Sequence, residues 1–375
     1  MEVSHFSSTH VGGAGIAARS LNTALATAGL KSSLFILPKA RFDPSNGEYF
    51  TSDTMISSQK RKCFTLLNLI ISRDPFFSVF SGSSHGKINW RLFENHILHV
   101  HNFYNFLNIS DIFIIAEQIP LVMTLHDMRL LTGGCHYSMD CNQFLDSCGK
   151  CPKATRLVHN VIRRNRLQID SNWPSNLKIV CPSNWMFQQA KHVLPKSAEI
   201  FHIPNVLAES DAAHSTRKRF RGTTIVGFAA NQSKSTVKGT DVFSRLKTEI
   251  GAADSSIRLN RPSDFDGNME EFWNGIDILF VPSRADNSPN VILEAHQRGI
   301  PVLARNVGGI PEILIRDFDL SFSEELLTIA NFAVLIERIK RNFSEENALR
   351  VGRQVRRLRE RAIRQHINLY RSFVP

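Results

Sequence analysis

Short apolar segments of strand length alternate with segments of helical periodicity along most of this chain, and the alternation limits the folds open to it. The second half carries four predicted strands and three predicted helices in turn, at residues 223–231, 242–250, 256–260, 268–276, 277–283, 290–299 and 301–306. The first forty residues begin in the same way, with a strand, a glycine-rich turn, a helix and a second strand. Because a crossover helix between two strands places those strands parallel, the chain is predicted to form α/β, doubly wound parallel sheets.

The length of 375 residues and one polar segment indicate the domain organisation. At roughly 150 residues per domain, two or three domains are expected. Residues 207–222 are charged and lack periodicity, so we predict a linker there between an N-terminal domain at 1–206 and a C-terminal domain at 223–343. Residues 344–375 are predicted to form one basic helix that packs back toward the N-terminal domain, and the polar residues 40–60 are predicted to be a loop.

The net charge of +11 favours anionic partners. No nucleic-acid-binding module is present, so no nucleic-acid partner is expected. The stretch Lys60 to Lys62 and the arginine-rich C-terminal helix have two interpretations: peripheral contact with an anionic membrane, or solvated basic faces. No apolar run reaches the roughly 18 residues of a membrane span, and the first residues lack a signal-peptide pattern. We therefore expect a cytoplasmic location, with or without attachment to the inner face of the membrane.

A glycine-rich turn with Gly12, Gly13 and Gly15 precedes the first predicted helix. Such a turn exposes backbone N–H groups and the positive end of the helix dipole, which suits a phosphate group. Gly13, Gly15 and Ala18 also satisfy the G-x-G-x-x-(G/A) pattern of dinucleotide-binding folds. The second strand ends without the carboxylate that would hold the ribose of NAD, which argues against that cofactor. A tight turn with a purely structural role is the alternative.

Polar residues end two predicted strands of the N-terminal domain. His99 and His101 close one strand, and His126 and Asp127 follow the next. The carboxyl edge of a parallel sheet is where such folds bind ligands, so these side chains are candidates for a site.

Two carboxylates, Asp286 and Glu294, lie in a loop and in the helix that follows it. A carboxylate inside that helix can accept hydrogen bonds from two vicinal ribose hydroxyls, and a carboxylate in the loop can hold sugar hydroxyls. Asn287, Ser288 and Pro289 lie between them near a helix N-terminus, which is a phosphate environment. The alternative is that Asp286 caps the helix and Glu294 is a solvated helix residue.

Two lysines, Lys234 and Lys238, follow the first strand of the C-terminal domain, and Lys238 precedes Gly239. A lysine at this edge of the sheet can neutralise a diphosphate leaving group. The alternative is a solvated lysine in a turn.

Four cysteines, Cys135, Cys141, Cys148 and Cys151, have the spacing C-x5-C-x6-C-x2-C. Four close thiolates in a reducing compartment suit a tetrahedral structural zinc ion, and the closing CGKC turn favours it. His136 is a candidate replacement ligand. Unliganded thiols that pack within a loop and a redox-active pair are the alternatives.

Several segments, taken in order, resemble the retaining glycosyltransferases of family 4, also called group 1, which have the GT-B fold. HVGGAGIAARSLNTAL resembles that family's N-terminal glycine turn and helix, and TLHDMRLLTGGCHYSMDC resembles a segment of its polysaccharide-assembly branch, including enzymes of the colanic-acid type. VKGTDVF resembles the lysine–glycine motif for the donor phosphates, DNSPNVILE the E-x7-E motif, and PVLARNVGGIPEIL the segment after it. The resemblance covers about residues 3–320 and implies two Rossmann-like domains facing a cleft.

The resemblance implies roles for matching residues of the C-terminal domain. Glu294 would hold the donor ribose and Asp286 the hydroxyls of the donor sugar. Asn287, Ser288 and Pro289 would line the sugar and phosphate through their backbone. The first acidic position is Asp286 where the family has Glu, so its reach is one methylene shorter.

Other implied roles concern the phosphates and the transferred sugar. Lys238 would neutralise the diphosphate, Gly12 and Gly13 would approach the phosphates from the other domain, and His126 would lie near the sugar. The family's arginine before the lysine is missing here, and Lys234 is a candidate substitute as a point charge, without the two-pronged geometry of arginine.

The function implied is transfer of a sugar, with retention of configuration, from a nucleotide-sugar donor to a lipid-linked or growing glycan acceptor. The product would be a surface polysaccharide: capsule, exopolysaccharide or lipopolysaccharide O-antigen. No cofactor is required for catalysis in this interpretation, because lysine and helix N-termini cover the diphosphate charge. The segment Asp264 to Asp266 has the D-x-D form of metal-dependent enzymes, but it is predicted to cap the helix after it. A nucleotide-sugar epimerase or hydrolase of the same fold and a non-catalytic nucleotide-binding relative are the alternatives.

Overall fold

A computed structural model of the chain consists of two compact units. Unit 1 comprises Met1–Ala208 together with Ala362–Pro375, and unit 2 comprises Glu209–Arg361. The structure describes residues 1–36, 48–50, 66–68, 70–72, 77–80, 85–104, 106–170, 172–209, 219–230, 236–253, 255–323 and 327–373. Lys234 and the basic stretch Lys60 to Lys62 lie outside the described residues.

Unit 1 is built on a seven-stranded parallel sheet. Its strands are β1 (Glu2–Ser7), β2 (Lys31–Ile36), β3 (Glu48–Phe50), β4 (His96–Asn102), β5 (Leu121–Thr124), β6 (Leu177–Cys181) and β7 (Glu199–His202). They follow the order β3-β2-β1-β4-β5-β6-β7, so the direction of winding reverses between β1 and β4. The prediction of a loop over 40–60 is wrong at β3, which pairs with β2, because a strand of three residues is too short to show an alternating pattern.

The described α-helices of the first part of the chain are α1 (Gly12–Thr27), α2 (Ile109–Ala116), α3 (His159–Leu167) and α4 (Asn184–Val193). Asn108 starts α2 with a reciprocal capping box to Asp111, and Ser183 starts α4 by accepting from the Met186 N–H. α1 begins without a side-chain cap at Val11.

Unit 2 contains a five-stranded parallel sheet in the order β12-β11-β10-β8-β9. The strands are β8 (Thr224–Gly227), β9 (Ile257–Asn260), β10 (Ile278–Val281), β11 (Val302–Arg305) and β12 (Leu320–Phe322). The helices are α5 (Thr240–Ala253), α6 (Met269–Gly275), α7 (Asn290–Gln297), α8 (Ile310–Ile313) and α9 (Ile329–Asn342). The winding reverses between β8 and β10, and in such sheets ligands bind beyond the carboxyl ends of the two strands at that point.

The D-x-D segment does not cap α6, contrary to the prediction. Asn268 is the cap and accepts from the N–H groups of Glu270 and Glu271. Asp264 accepts instead from the Arg261 N–H and from Lys247 Nζ, each at 2.8 Å. Asn268 caps α6 because it directly precedes the first helical turn, whereas Asp264 lies inside a separate 3-10 turn.

The last helix, α10, runs over Glu345–Arg371, where a long basic helix is predicted. Val351 and Val355 are buried in unit 2, and from Ala362 onward the helix belongs to unit 1. There the Tyr370 hydroxyl lies 2.7 Å from His99 Nδ1. Within the described part of the chain, no helix combines the length and apolarity that a bilayer crossing requires.

Candidate active site

Lys238 and Asp286 are an ion pair at the winding reversal of unit 2. Lys238 follows β8 and Asp286 follows β10, and Lys238 Nζ lies 2.6 Å from Asp286 Oδ2. The Asp286 side chain is 7% exposed, whereas that of Lys238 is 37% exposed. The Ser283 hydroxyl is 3.4 Å from the same carboxylate oxygen. Asp286 does not cap α7, since the N-cap position is Pro289, so the alternative interpretation of Asp286 is wrong.

The turn that presents Lys238 depends on Gly239. Gly239 has φ +74°, and a Cβ at this position would overlap the carbonyl oxygen of Pro282. The Arg284 N–H donates to the Val237 carbonyl at 2.7 Å, which joins the same two loops. Because glycine permits both the dihedral angle and the close approach, the Lys-Gly pair fixes Lys238 beside the loop of Asp286.

A third loop closes on Asp286 from the carboxyl end of β11. Gly308 has φ +56°, and a Cβ there would overlap the Asp286 carbonyl oxygen. The Gly309 N–H donates to that same carbonyl at 3.1 Å. Asp286 is thus held by its backbone as well as by its side chain.

Arg284 is a residue of this edge that the sequence analysis did not identify. Its guanidinium binds the Asp241 carboxylate through two hydrogen bonds of 2.7 Å each and also donates to the Thr236 carbonyl at 2.7 Å. The hydrogen bond and charge of Arg284 lower the pKa of Asp241, against a smaller effect of burial. The available signal was a cation two positions before Asp286. Arg284 fastens the loop after β10 to the start of α5.

Glu294 lies on α7 and is only partly exposed, so its description as a solvated helix residue is wrong. Burial raises its pKa, and the charge of Arg298 opposes that effect. Arg298 donates to the Glu294 carbonyl and lies 3.5 Å from the Glu270 carboxylate. Over the residues that the structure describes, no hydrogen bond or ion pair reaches the Glu294 carboxylate itself. A partly buried carboxylate in that state is suited to a ligand that brings hydroxyl donors.

The loop between the two carboxylates is buried. Asn287 is 2% exposed and Ser288 is 9% exposed, and Pro289 precedes the first turn of α7. Asn287, Ser288 and Pro289 thus form a buried segment that joins Asp286 to the helix of Glu294.

In unit 1, the glycine-rich turn leads from β1 into α1. Gly12 has φ +77°, and a Cβ at Gly12 or Gly13 would meet nothing within 4 Å. A Cβ at Gly15 would lie 2.5 Å from the Thr9 carbonyl oxygen. Gly15 therefore serves packing, whereas Gly12 and Gly13 leave open space above their backbone.

His126 lines a cavity at the carboxyl end of β4 and β5, with Ala14, Asp127 and Arg129 among the other lining residues. The Arg129 N–H donates to Asp127 Oδ1 at 2.9 Å, and the Arg129 guanidinium lies 3.7 Å from the centroid of the Tyr104 ring. Arg129 is a second residue that the sequence analysis missed. Its side chain places a buried cation beside the cavity of His126.

Five imidazoles cluster between the sheet of unit 1 and its covering helices: His5, His99, His101, His126 and His366. Burial is the largest cause of their low basicity. It lowers the pKa of His5 to about 3 and the pKa values of His126 and His366 to about 4. The pKa values of His99 and His101 are also lowered well below their ordinary value, and neighbouring imidazoles add to the effect. All five rings are therefore neutral at pH 7.

Among the described residues, the group of three potential metal ligands with donor atoms within 4.8 Å of one another is His5, His99 and His101. His99 uses one nitrogen with the Tyr370 hydroxyl and the other with the Thr124 hydroxyl, at 2.7 Å each. The group contains no carboxylate to balance a buried dication. Hydrogen bonding accounts for the proximity of these rings without a metal.

The four predicted zinc ligands, Cys135, Cys141, Cys148 and Cys151, line one small cavity of unit 1. All four are free thiols, and they do not form a group with donor atoms within 4.8 Å. Burial raises the pKa of Cys135 to about 12 and that of Cys148 to about 11.

Backbone N–H groups already point at two of these sulfur atoms. Gly133 donates to Cys148, and Lys153 and Ala154 donate to Cys151. Such contacts stabilise thiolates, the form that binds zinc. The donor set therefore fits a zinc ion in chemistry, although the sulfur atoms would have to draw closer.

Residues 220–341 match the family model described as glycosyl transferases group 1. A putative colanic acid biosynthesis glycosyl transferase of Escherichia coli K12 is 22% identical over 267 residues, which are 61% of this chain and 64% of that protein. A D-inositol 3-phosphate glycosyltransferase of Streptomyces avermitilis is 28% identical over 157 residues, 41% of this chain and 32% of that protein. The chain thus matches less than two thirds of the length of either relative.

Solved structures resemble the chain over nearly its whole length. Sucrose-phosphate synthase from Thermosynechococcus elongatus has a TM-score of 0.60 at 15% identity, covering 99% of this chain and 98% of its own. HepE of Anabaena in complex with UDP and glucose has a TM-score of 0.57 at 12% identity, covering 98% and 99%. WaaG, a glycosyltransferase involved in lipopolysaccharide biosynthesis, has a TM-score of 0.56 at 11% identity, covering 98% and 99%. The predicted fold class, an α/β GT-B fold with two Rossmann-like domains, is confirmed.

Proposed function

We propose, on the premise that residues 220–341 form a group 1 glycosyl transferase domain, that this chain is a glycosyltransferase acting in polysaccharide synthesis. It would move a sugar from a nucleotide-sugar donor to a lipid-linked or growing glycan acceptor, with retention of configuration. One observation carries the proposal. The Lys238–Asp286 ion pair lies at the winding reversal of one parallel sheet, where such sheets bind nucleotides, and Glu294 lies on the helix that follows the loop of Asp286.

The chemistry of these residues suits a nucleoside diphosphate sugar. Glu294 supplies an acceptor for two ribose hydroxyls, and the buried backbone before α7 lies near the sugar and phosphates. Lys238 supplies positive charge as the diphosphate leaves, provided that it exchanges Asp286 for the phosphate oxygens. Asp286 is then available to sugar hydroxyls. These roles require no metal ion and no other cofactor.

We assign the remaining roles in unit 1 on the same basis. Gly12 and Gly13 have open space above their backbone at the uncapped start of α1, which suits the approach of a phosphate. His126 lines a cavity that also holds the cation of Arg129, and we assign it to a hydroxyl of the transferred sugar.

Ligand-dependent thermal unfolding tests the proposal first. Saturating UDP, GDP and ADP would be compared with NAD, since a ligand at 100 times its Kd stabilises by about 2.7 kcal/mol. We expect a rise in Tm with one nucleoside diphosphate, a loss of that rise in Glu294→Gln, and its retention in the control Glu337→Gln, a surface change on α9. A rise with NAD alone would contradict the proposal. An epimerised sugar, or donor hydrolysis whose rate added glycan acceptors leave unchanged, would point instead to an epimerase or hydrolase.

We propose further that the four cysteines bind a structural zinc ion, supported by their shared cavity and the N–H donors at Cys148 and Cys151. Zinc would supply the positive charge that lets Cys135, Cys148 and Cys151 ionise although burial raises their pKa values. Metal analysis of freshly purified protein is expected to find about one zinc per chain, and Cys148→Ser to lower that content. Purified protein that contains no zinc, and whose unfolding temperature does not change when zinc is added, would refute this assignment.

We propose, finally, that α10 contributes to contact with an anionic membrane. Seven of its arginines are exposed: Arg350, Arg353, Arg356, Arg357, Arg361, Arg364 and Arg371. Such a basic helix attracts acidic lipid headgroups, and the attraction is screened by salt. The protein should sediment with phosphatidylglycerol vesicles at low salt and not with phosphatidylcholine vesicles. Equal behaviour with both vesicles would favour a merely solvated basic face.

A further inference from the structure

Three imidazoles form a hydrogen-bonded series that leads from the buried His5 through the buried His101 to the partly exposed His126. His5 Nδ1 lies 3.0 Å from His101 Nε2, and His101 Nδ1 lies 3.2 Å from His126 Nε2. His5 and His99 are directly paired across β1 and β4, and His101 lies on the same face of β4. The series therefore rests on two central strands of the sheet.

Each ring of the series is neutral and so carries one proton on one of its two nitrogens. Burial is the largest cause, as it lowers the pKa of His5 to about 3 and that of His126 to about 4. A hydrogen bond between two neutral imidazoles needs one protonated and one unprotonated nitrogen. The two contacts therefore couple the tautomers, and all three rings must donate in the same direction along the series.

Two directions are open, and they differ at the inner end. If donation runs outward, His5 Nε2 carries a lone pair. If donation runs inward, His5 Nε2 carries an N–H. This nitrogen is buried and has no partner among the described residues. An unpaired buried N–H is rarer in proteins than an under-satisfied acceptor, so the outward direction is favoured.

At the outer end, the same direction determines what His126 offers to a ligand. With Nε2 accepting from His101 Nδ1–H, the proton of His126 resides on Nδ1. His126 lines the cavity that holds Arg129, so both residues would present hydrogen-bond donors to it.

We propose that His5 and His101 are positioning residues that fix His126 as a neutral Nδ1–H donor toward an oxygen of the bound sugar. This inference rests on the proposed function for the identity of the ligand, whereas the tautomer of His126 does not depend on it. His126 in this state donates a hydrogen bond to a hydroxyl oxygen and does not act as a base. Neither His5 nor His101 needs to touch the substrate.

Nitrogen-15 NMR of the histidine-labelled full chain tests the tautomers directly, because protonated and unprotonated ring nitrogens resonate in separate regions. We expect protonated Nδ1 and unprotonated Nε2 at His126, His101 and His5. Assignment would use the loss of one set of signals in each single variant. A wild-type His126 with a protonated Nε2 would overturn the proposal, whatever the protein is found to catalyse.

Two variants of His5 separate the effect of its hydrogen bond to His101 from the effect of its packing. His5→Leu fills the space but removes the Nδ1–H, whereas the side-chain amide of His5→Asn can donate from nearly the same position. His5→Leu should give His126 a mixed population of tautomers and slow release of nucleoside diphosphate from UDP-glucose or GDP-mannose about tenfold, with KM little changed. His5→Asn should restore both. His192→Asn, on the exposed surface of α4, is the control.

The outcomes separate the two proposals. An unchanged His126 tautomer in folded His5→Leu would refute the positioning role. If that variant does not fold, the wild-type spectrum alone decides. The spectra can agree with expectation while wild-type protein neither binds a nucleoside diphosphate nor releases one from either donor. In that case the positioning of His126 by His5 and His101 is supported, and the proposed function is refuted.

Discussion

Lys238 Nζ and Asp286 Oδ2 are 2.6 Å apart although 48 positions separate the two residues in the chain. The family resemblance implies two separate roles, with Lys238 at the diphosphate and Asp286 at the sugar hydroxyls. In the structure each neutralises the other. A nucleotide that uses Lys238 must therefore compete with Asp286 for it.

This competition predicts opposite effects of Asp286→Asn on binding and on transfer. Removal of the carboxylate releases Lys238, so the affinity for the preferred nucleoside diphosphate should rise about fivefold, the value of one partly exposed ion pair. Transfer should fall about 100-fold, because the sugar loses a positioned acceptor. Titration calorimetry and initial rates measure the two effects. Lys238→Met should weaken both nucleotide binding and transfer. A weaker nucleotide affinity in Asp286→Asn would mean that the ion pair holds the binding site together and that Asp286 does not compete with the nucleotide for Lys238.

Glu294→Gln should weaken nucleotide binding without lowering the free energy of unfolding. Burial raises the pKa of Glu294 above its ordinary value of 4.5, so folding opposes its ionisation. The stability contributed by this residue is then fully present below pH 4.5 and is lost as the pH rises through the folded pKa. At pH 7, Glu294→Gln should therefore be as stable as wild type or up to about 1 kcal/mol more stable, while nucleotide affinity falls roughly 10- to 100-fold. Urea unfolding at pH 4 and pH 7 checks the first effect. A destabilised variant would mean that Glu294 makes structural contacts instead.

Gly239→Ala and Gly267→Ala form a matched pair. Both glycines have positive φ, +74° and +77°, but a Cβ at Gly267 meets open space whereas one at Gly239 overlaps the Pro282 carbonyl. Gly267→Ala should cost about 1–2 kcal/mol of unfolding free energy, the strain of a left-handed residue. Gly239→Ala should cost at least about 2 kcal/mol more, because the loops of Lys238 and Asp286 must separate. Equal losses in denaturant titrations would show that the close approach has no energetic weight.

The buried histidines predict a pH-dependent stability. Burial holds the pKa values of His126 and His366 at about 4 in the folded chain, against 6.5 as the ordinary value. The unfolded chain therefore binds protons below pH 6.5 that the folded chain refuses until about pH 4. Stability should fall as the pH drops from 6.5 to 4, by up to about 1.4 kcal/mol per pH unit for each such histidine. His366→Leu should flatten this slope in thermal unfolding, and the exposed His192→Leu should leave it unchanged.

The sequence predicted the alternating part of the fold well and the sheet edges poorly. β8 and β10 follow directly from buried apolar runs flanked by amphipathic helices. β3 and β12 have three residues each and pair on one side only, so neither the length nor the alternation of a strand is present. The order of the strands in each sheet also cannot be predicted from hydrophobic periodicity, because it depends on which helix covers which face of the sheet.

The site shows the same division between local and distant information. The spacing of Asp286 and Glu294 is visible in the sequence because both belong to one loop and helix. Their pairing with groups from other elements is not visible. The contact of Lys238 with Asp286 and that of His101 with His5 require two strands that are distant in sequence to be neighbours in a sheet.

The discontinuity of unit 1 has a consequence for how the chain is made. His99 and Tyr370 are 271 positions apart and share a buried hydrogen bond, while unit 2 occupies the intervening sequence from Glu209 to Arg361. During synthesis, the core of unit 1 stays incomplete until the last helix leaves the ribosome, and unit 2 can finish folding first. Unit 1 is thus the later of the two to close, and the sheet residues that pack against the end of α10 stay uncovered in the interval.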